Sequence, residues 1–286
     1  MDLHNPSLPD AALAYDRIAA QYDAQVQAGQ WMRHALWDAY LRLFKPGQRV
    51  LDLSCGTGID AIFLARHGLR VTGMDVSPGM LEQLRLKASR QGLADHIQTC
   101  TWDLNRLDAW SDAPFDGILS AFAGLNTLPD LAGLAGEAAR LLNPGGHFVA
   151  HLLNRLSLPD WLRLVRRGRW QEARRRAEQV TVQVEIGGVS VTHYVYAPTQ
   201  AYRRFFQPHF RLRRAYSLGW LRPLEPSPWL PPAVLEGLGR LERPLSHFWP
   251  FLHWGRFYVL ELQKRENGSG PYPQSLHRFG GEGMGE

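Results

Sequence analysis

Cysteine is scarce in this chain, and long apolar runs are absent from it. The 286 residues include two cysteines, Cys55 and Cys100, which excludes a disulfide framework and a cysteine-rich metal site. No apolar run approaches the roughly 18 residues that a membrane-spanning helix needs, and the acidic N-terminus lacks the basic and apolar regions of a secretory signal. We therefore expect a cytoplasmic protein that folds around a hydrophobic core.

A strong charge of either sign is also missing. The formal net charge is +5, which is modest for this length and does not by itself select nucleic acid, anionic lipid or an acidic substrate as a partner. Hydrophobic residues make up 45% of the chain and charged residues 21%. This composition is typical of globular proteins and excludes a fully disordered or fibrous one.

Short apolar runs alternate with helical patterns between residues 49 and 153, which is typical of a parallel sheet covered by helices. The predicted strands are 49–53, 70–74, 97–101, 115–121 and 147–152. The predicted helices between them are 59–67, 78–91 and 131–142. Gly68, Gly92 and a turn at 143–146 stand where these helices should end, so the turn residues agree with the apolar periodicity.

Helical patterns precede this core. Apolar residues recur at three- and four-residue spacing in 10–26, and a second amphipathic helix is predicted over 32–44. Residues 1–45 are therefore predicted to form a helical cap ahead of a core domain at 46–155.

The pattern changes after the fifth strand. Residues 156–207 are predicted to form an inserted substrate lid, which opens with one basic helix over 160–179. Apolar residues then alternate on both sides of two consecutive glycines, which indicates a β-hairpin over 180–195. The register of that hairpin places His193 opposite Val182 on its apolar face.

The last part of the chain is predicted to complete the sheet. Strands at 210–218 and 256–264 lie within a segment at 208–265, and they bracket a stretch rich in proline and tryptophan. The tail at 266–286 is rich in glycine and lacks periodic apolar residues, so we expect it to be disordered.

A strand, a turn of small residues and a helix follow one another in residues 50–60, which read VLDLSCGTGID. At such a turn the missing side chains let a ligand lie against the backbone, and the helix N-terminus favours an anionic group. Asp75 ends the next strand, 17 residues after Gly58, where an acid in a doubly wound sheet accepts hydrogen bonds from two ribose hydroxyls. The sequence therefore predicts a nucleotide-like ligand at this edge of the sheet.

Five landmarks follow one another along the chain: residues 52–58, Asp75, 101–104, 115–122 and 142–146. In this order they resemble the motifs of the class I S-adenosylmethionine-dependent methyltransferases, and the resemblance extends from Tyr15 to Asn154. It implies an α/β fold with a doubly wound, Rossmann-like sheet of seven mostly parallel strands, the last of them antiparallel. It also implies S-adenosyl-L-methionine as the cofactor and transfer of its methyl group as the reaction.

The same resemblance implies roles for individual residues. Residues 52–58 match the first motif, with Ser54 where its first glycine usually stands. Asp103 and Leu104 match the acid and the backbone that bind adenine, and 115–122 resembles the motif that reaches the methionine moiety. The cofactor-binding residues implied are Tyr22, Asp52, Ser54, Cys55, Gly56, Thr57, Gly58, Asp75, Val76, Asp103, Leu104 and Ser120.

Methyl transfer from a sulfonium is an in-line displacement, so the protein must position a nucleophile, and a dedicated base is optional. His151, at the end of the fifth strand, and His193 are the candidate catalytic residues, and each also fits a structural role. Tyr22 could set its ring near the sulfonium or serve as a core residue of its helix. No metal-binding spacing is present, so no metal is expected.

No motif marks the acceptor, and three hypotheses for the function stay open. The first is methyl transfer to a small or lipid-like molecule beneath a lid built from residues 1–45 and 156–207, with peripheral contact between the basic helix and an anionic membrane. The second is an RNA or protein methyltransferase that uses the basic helix 160–179, although nucleic acid is not the expected partner. The third is a cofactor-binding partner protein that has lost catalysis. The arginines of this helix also fit a solvated face.

Overall fold

A seven-stranded sheet organises the computed structural model of the chain, which describes residues 7–111, 114–223 and 230–266. Within these ranges the strands are β1 Arg49–Leu53, β2 Arg70–Asp75, β3 Ile97–Thr101, β4 Phe115–Ser120, β5 Leu142–Leu153, β6 Thr181–Ile186, β7 Val189–Tyr194, β8 Phe210–Leu218 and β9 Phe257–Lys264. The sheet has the order β3-β2-β1-β4-β5-β9-β8, and β6 and β7 form a separate hairpin. The tail predicted to be disordered lies, apart from Glu266, outside the described residues.

The direction of the strands confirms the predicted sheet. Strands β1 to β5 run parallel, and β9 is antiparallel to both of its neighbours, β5 and β8. The carboxyl ends of β1 to β5 therefore meet at one edge, which is where ligands bind in doubly wound sheets. Strand β5 begins at Leu142 rather than at residue 147, because Leu142 already pairs with Phe115 ahead of a register shift.

Helices cover both faces of the sheet. Within the described ranges they are α1 Ser7–Ile18, α2 Tyr22–Gln25, α3 Gln30–Leu43, α4 Ile59–Arg66, α5 Pro78–Arg90, α6 Ala132–Leu141, α7 Leu158–Arg166, α8 Trp170–Glu178, α9 Pro198–Ala201 and α10 Pro232–Leu245. A π-helical turn over Tyr202–Phe206 continues α9. The segment predicted as one helix over 10–26 is two helices, because a 3-10 turn at Ala19–Gln21 separates α1 from α2.

The basic helix predicted over 160–179 is also two helices, so that prediction was wrong in its extent. Gly168 has φ +71°, a left-handed conformation that ends α7 in the way a glycine commonly ends a helix. The chain then restarts as α8 at Trp170. Within the stretch rich in proline and tryptophan, α10 forms although no helix was predicted there.

Two apolar clusters, one on each face of the sheet, hold the helices in place. Alternate residues of β1 divide between them, with Leu51 in the cluster under α6 and Val50 in the cluster under α3, α4 and α5. Phe44, which follows α3, packs so closely on Gly117 of β4 that an added methyl group there would overlap its ring. Each fully buried large apolar side chain contributes roughly 1.5 to 3 kcal/mol, so these clusters fix the carboxyl edge of the sheet.

The hairpin of β6 and β7 packs on the N-terminal cap. Ala11 and Ala14 of α1 are buried against Val191 of β7, and the Arg17 guanidinium donates to the Gly187 carbonyl at 3.4 Å. The register pairs Val182 with His193, as the alternating pattern predicted. Among the described helices, none combines the length and the apolar character that crossing a membrane requires.

Candidate active site

A cavity opens at the carboxyl ends of β1 to β4, and α1 and α2 cover it. Its floor is formed by the segments that follow these strands, and its roof includes Tyr15 and Tyr22 of the helical cap. Seven of the predicted cofactor-binding residues line this cavity: Tyr22, Ser54, Gly56, Asp75, Val76, Asp103 and Leu104.

The glycine turn after β1 takes left-handed backbone conformations at three positions. Gly56 and Gly58 have φ +55° and +74°, and Ser54 has φ +58°. A non-glycine residue in this region costs roughly 1 to 2 kcal/mol, so Ser54 keeps the shape of the turn at some expense of stability. The ring of Tyr22 lies above Gly56, because a methyl group added there would come within 3.9 Å of its Cε1.

Asp75, at the end of β2, is the most firmly held carboxylate of the cavity. Its Oδ2 accepts from the Gly56 N–H at 2.8 Å, and its Oδ1 accepts from the Ser77 N–H at 2.9 Å. Burial raises the pKa of Asp75, and these backbone hydrogen bonds partly oppose that rise. Each carboxylate oxygen can accept more than one hydrogen bond, so Asp75 retains capacity for a ligand.

Asp103 lies beside Asp75 along the same edge of the sheet. Its Oδ1 accepts from the Asn105 N–H at 2.8 Å and thereby caps the 3-10 segment Leu104–Ala109. The Trp102 N–H donates to the Asp75 carbonyl at 3.0 Å, which joins the two strand ends. The carboxylate of Asp75 and the side chains of Trp102, Asp103 and Leu104 therefore line neighbouring parts of the cavity.

Two carboxylates fasten the helical cap over the cavity. Asp16 Oδ1 accepts from the Ser77 hydroxyl at 2.5 Å and from the Gly79 N–H at 2.8 Å. Asp23 accepts from the Thr57 hydroxyl at 2.5 Å and pairs with the Lys87 ammonium at 2.7 Å. Sequence analysis assigned neither acid a role, because their partners lie in distant segments of the chain.

Five predicted cofactor-binding residues are not among those that line the cavity: Asp52, Cys55, Thr57, Gly58 and Ser120. Asp52 is buried, its pKa is raised well above its usual value by that burial, and its Oδ2 has no partner in the described parts of the chain. Burial likewise raises the pKa of the Cys55 thiol. Asp52, Cys55, Thr57 and Gly58 belong to β1 and the glycine turn that follows it, and the Thr57 hydroxyl donates its hydrogen bond to Asp23.

Neither candidate catalytic histidine lines the cavity. His151 is fully buried, and its Nδ1 accepts from the Phe122 N–H at 3.0 Å. Burial and the nearby Arg33 charge lower the pKa of His151 to about 3, so the ring is neutral. Burial also lowers the pKa of His193, whose Nδ1 lies 3.2 Å from the Val191 carbonyl in the hairpin.

Arg33 is a buried cation that sequence analysis missed. It is 5% exposed, it forms an ion pair with Asp60 of α4, and its guanidinium lies 4.2 Å from the centre of the Phe122 ring. The Trp37 indole N–H also donates to Asp60 at 2.8 Å. The position of Arg33 in an amphipathic helix gave no sign that its side chain is buried.

Among the described residues, no group of three or more His, Cys, Asp or Glu side chains is arranged to hold a metal ion.

Comparison with known proteins finds similarity to methyltransferases over about half of the chain. Residues 50–146 match the methyltransferase domain family. A demethylmenaquinone methyltransferase from Tropheryma whipplei is 33% identical over 153 residues, which cover 52% of this chain and 61% of that protein. A ubiquinone biosynthesis O-methyltransferase from Xylella fastidiosa is 32% identical over 161 residues, which cover 50% of this chain and 64% of that protein. The chain thus spans less than two thirds of the length of these curated relatives.

The fold is shared more widely than the sequence. A SAM-dependent methyltransferase from Methanosarcina mazei superimposes with a TM-score of 0.55 at 16% identity, covering 78% of this chain and 95% of that chain. At this identity the likeness concerns the fold alone. The match over residues 50–146 and the seven-stranded sheet with its antiparallel last strand agree with each other, and both support similarity of this part of the chain to the class I S-adenosylmethionine-dependent methyltransferases.

Proposed function

We propose that this protein binds S-adenosylmethionine in the cavity at the carboxyl ends of β1 to β4 and transfers its methyl group to a small, lipid-like acceptor of the quinone type. The observation that carries the proposal is the Asp75 carboxylate, which the Gly56 and Ser77 amides hold at the cavity edge. The adjoining Asp103 and Leu104 line the same cavity.

The residues present fit this cofactor. Asp75 has acceptor capacity for the two ribose hydroxyls, and Gly56 leaves room for the ligand against the backbone. Leu104 and Trp102 offer an apolar wall to the adenine ring, and Asp103 offers an acceptor to its amino group. Bound there, S-adenosylmethionine supplies an electrophilic methyl group on a sulfonium with a good leaving group. The Tyr22 ring, above the glycine turn, suits that cation, an attraction of roughly 0.5 to 2 kcal/mol.

The chain's own contribution to the reaction is to position the acceptor and exclude water. Among the described lining residues, the side chains that could exchange a proton are Tyr15, Tyr22, Asp75 and Asp103. Burial raises the pKa of both tyrosines, so they stay protonated and cannot act as bases near neutral pH. The two acids belong to the nucleoside part of the site. An acceptor that is already nucleophilic, such as a phenolate or an electron-rich ring carbon, fits such a cavity best.

The acceptor side of the cavity favours an apolar ring. Ala11, Ala121, Phe122 and Leu128 line it, and the relatives that match half of this chain are named for menaquinone and ubiquinone biosynthesis. We extend that substrate class to this chain as a proposal.

The inserted segment at 156–207 supports the acceptor side from behind. Asn126, which follows β4, is fully buried. Its amide donates to the Tyr194 carbonyl at 2.5 Å, and its Oδ1 accepts from the Leu153 N–H at 2.8 Å. Because none of the described residues in 156–207 lines the cavity, we propose that the insert controls the acceptor through α1 and the segment after β4.

The basic helices α7 and α8 give no separate support to an RNA or protein substrate. Three arginines of this basic segment form ion pairs three or four residues away along the chain, Arg163 with Asp160, Arg169 with Glu172 and Arg174 with Glu178. Such exposed pairs contribute about 0 to 1 kcal/mol each. They reduce the free positive charge and favour a solvated face.

A transfer assay tests the proposed function. Purified protein is incubated with S-adenosylmethionine labelled in the methyl group and, in parallel, with a reduced prenylated quinone precursor, total RNA, or no acceptor. We expect label in the quinone fraction alone. Label in RNA would replace the proposed acceptor class, and binding of the cofactor without transfer to any acceptor would favour a catalytically inactive partner protein.

A further inference from the structure

The turn that follows β4 holds two successive non-glycine residues in the left-handed region of backbone space. Phe122 has φ +50° and Ala123 has φ +65°, a backbone conformation that is unfavourable for residues with a side chain. Phe122 lines the cavity between Ala121 and Gly124. Because a strained backbone persists only where its surroundings hold it, this turn must be stabilised by its neighbours.

His151, at the carboxyl end of β5, makes two hydrogen bonds to this turn. Its Nδ1 accepts from the Phe122 N–H at 3.0 Å, and its carbonyl accepts from the Ala123 N–H at 3.3 Å. Only the first bond depends on the side chain. Because Nδ1 accepts, the proton of the neutral ring lies on Nε2, and Nε2 has no hydrogen-bond partner among the described residues.

The surroundings of His151 keep it neutral and away from the acceptor. The ring is fully buried, with its centre 5.0 Å from that of Phe122 and 4.8 Å from that of Phe257. Burial lowers its pKa to about 3, so its Nδ1 lone pair stays available to the Phe122 N–H at neutral pH. A base acting on the acceptor would need to reach the cavity, and His151 does not line it.

The ring of Phe122 also contacts Arg33. The guanidinium lies 4.2 Å from the ring centre and is itself held by Asp60 of α4. The backbone of Phe122 therefore depends on His151, and the face of its ring depends on Arg33. Loss of the backbone bond would let the turn relax toward ordinary conformations and shift Phe122 within the cavity lining.

We propose that His151 is a positioning residue for methyl transfer, which holds Phe122 in the left-handed turn so that its ring forms the wall against which the acceptor lies. This rests on the proposed function and adds a residue that acts on the acceptor through another. A positioning role requires only an acceptor atom at the δ position of residue 151, which accepts the hydrogen bond from the Phe122 N–H. A catalytic base would require the imidazole ring itself.

Three variants separate these roles. His151→Asn keeps an acceptor at the δ position, whereas His151→Leu removes it and His151→Gln moves it outward. We expect amide hydrogen exchange of residues 121–124, measured without cofactor or acceptor, to be about tenfold faster in His151→Leu and His151→Gln than in the wild type, and within about threefold of it in His151→Asn. Wild-type exchange in all three variants would overturn the proposal.

Kinetics then test the consequence for methyl transfer. We expect kcat to fall about tenfold or more in His151→Leu and His151→Gln, and to stay within about threefold of the wild-type value in His151→Asn. The Kd for S-adenosylmethionine should change less than about threefold in all three variants. An equal loss of kcat in all three variants, with a changed pH profile, would identify a base and overturn the positioning role. If His151→Leu does not fold, His151→Gln makes the same comparison. Failure of the wild type to transfer methyl groups refutes the proposed function, and the exchange measurement still judges the turn by itself.

Discussion

Replacing Asp75 by alanine is the sharpest perturbation of the cofactor cavity. The residue is 8% exposed, and each carboxylate oxygen already accepts one backbone N–H, from Gly56 at 2.8 Å and from Ser77 at 2.9 Å. The remaining acceptor capacity is what the ribose hydroxyls would use. A charge-assisted hydrogen bond contributes roughly 1.5 to 3 kcal/mol, so we expect Asp75→Ala to raise the Kd for S-adenosylmethionine by about ten- to a hundredfold.

The same substitution has two opposing effects on folding stability. Burial raises the pKa of Asp75 above its usual value of 3.8, so the folded state binds the proton more tightly than the unfolded state. The free energy of unfolding therefore falls as pH rises from that usual value through the raised pKa. At neutral pH alanine removes this penalty, but it leaves two backbone amides without their acceptor, at about 1 kcal/mol or more each. Because the two effects offset each other, we expect Tm to change by only a few degrees.

Titration calorimetry at several pH values checks both parts of this prediction. Wild-type affinity for S-adenosylmethionine should decline as the pH is lowered through the raised pKa of Asp75, because the protonated acid loses its charge. The affinity of Asp75→Ala should not show that decline. Asp95→Ala, which removes an exposed acid on the segment before β3, is the matched control and should bind like the wild type. Equal affinities of wild type and Asp75→Ala at neutral pH would refute the assignment of Asp75.

Three further outcomes follow from the packing and the charges. Gly117→Ala should lower the free energy of unfolding by about 1 to 3 kcal/mol in urea titrations, because its methyl group overlaps Phe44. The control Gly133→Ala has open space around it and should be neutral or stabilising. Similar free energies of unfolding for the two variants would contradict the close packing at Gly117. Asp23→Ala should weaken cofactor binding by a few fold in calorimetry while leaving Tm nearly unchanged, because it releases the cap at a half-exposed ion pair; unchanged affinity would show that this fastening is not needed. Replacing the arginines at 174–176 with alanine should leave cofactor affinity within about twofold, and in vesicle sedimentation it should weaken adhesion to anionic liposomes by roughly 1 kcal/mol per residue if α8 meets a membrane. A lower salt dependence of RNA binding would instead support a nucleic-acid partner, and no change in either would leave a solvated face.

The sheet could be predicted from the sequence because its signals are local. Buried parallel strands are short apolar runs, and their ends are marked by residues such as Gly56 and Asp75, which we propose bind the cofactor. The hairpin register, with Val182 opposite His193, followed from strict alternation around a two-residue turn. The prediction failed at Gly168, where one residue in the left-handed conformation divides a continuous basic pattern into α7 and α8.

The support around the cavity could not be predicted because it depends on contacts between distant segments. Asp16 and Asp23 reach α5 and the glycine turn only after the cap folds over the sheet. The burial of Arg33 requires the partner Asp60 on another helix, and the bond from Phe122 to His151 requires two strand ends side by side. A single sequence records the residue types in these contacts and not which of them meet.

A crystal structure of the protein with S-adenosylhomocysteine, the demethylated cofactor, would show directly whether the nucleoside binds at Asp75. We expect the ribose hydroxyls within hydrogen-bond distance of the Asp75 carboxylate, the adenine against Leu104 with its amino group at Asp103, and the sulfur beneath the Tyr22 ring. A nucleoside bound away from Asp75, or no electron density for it in the cavity at saturating ligand, would refute the proposed cofactor site.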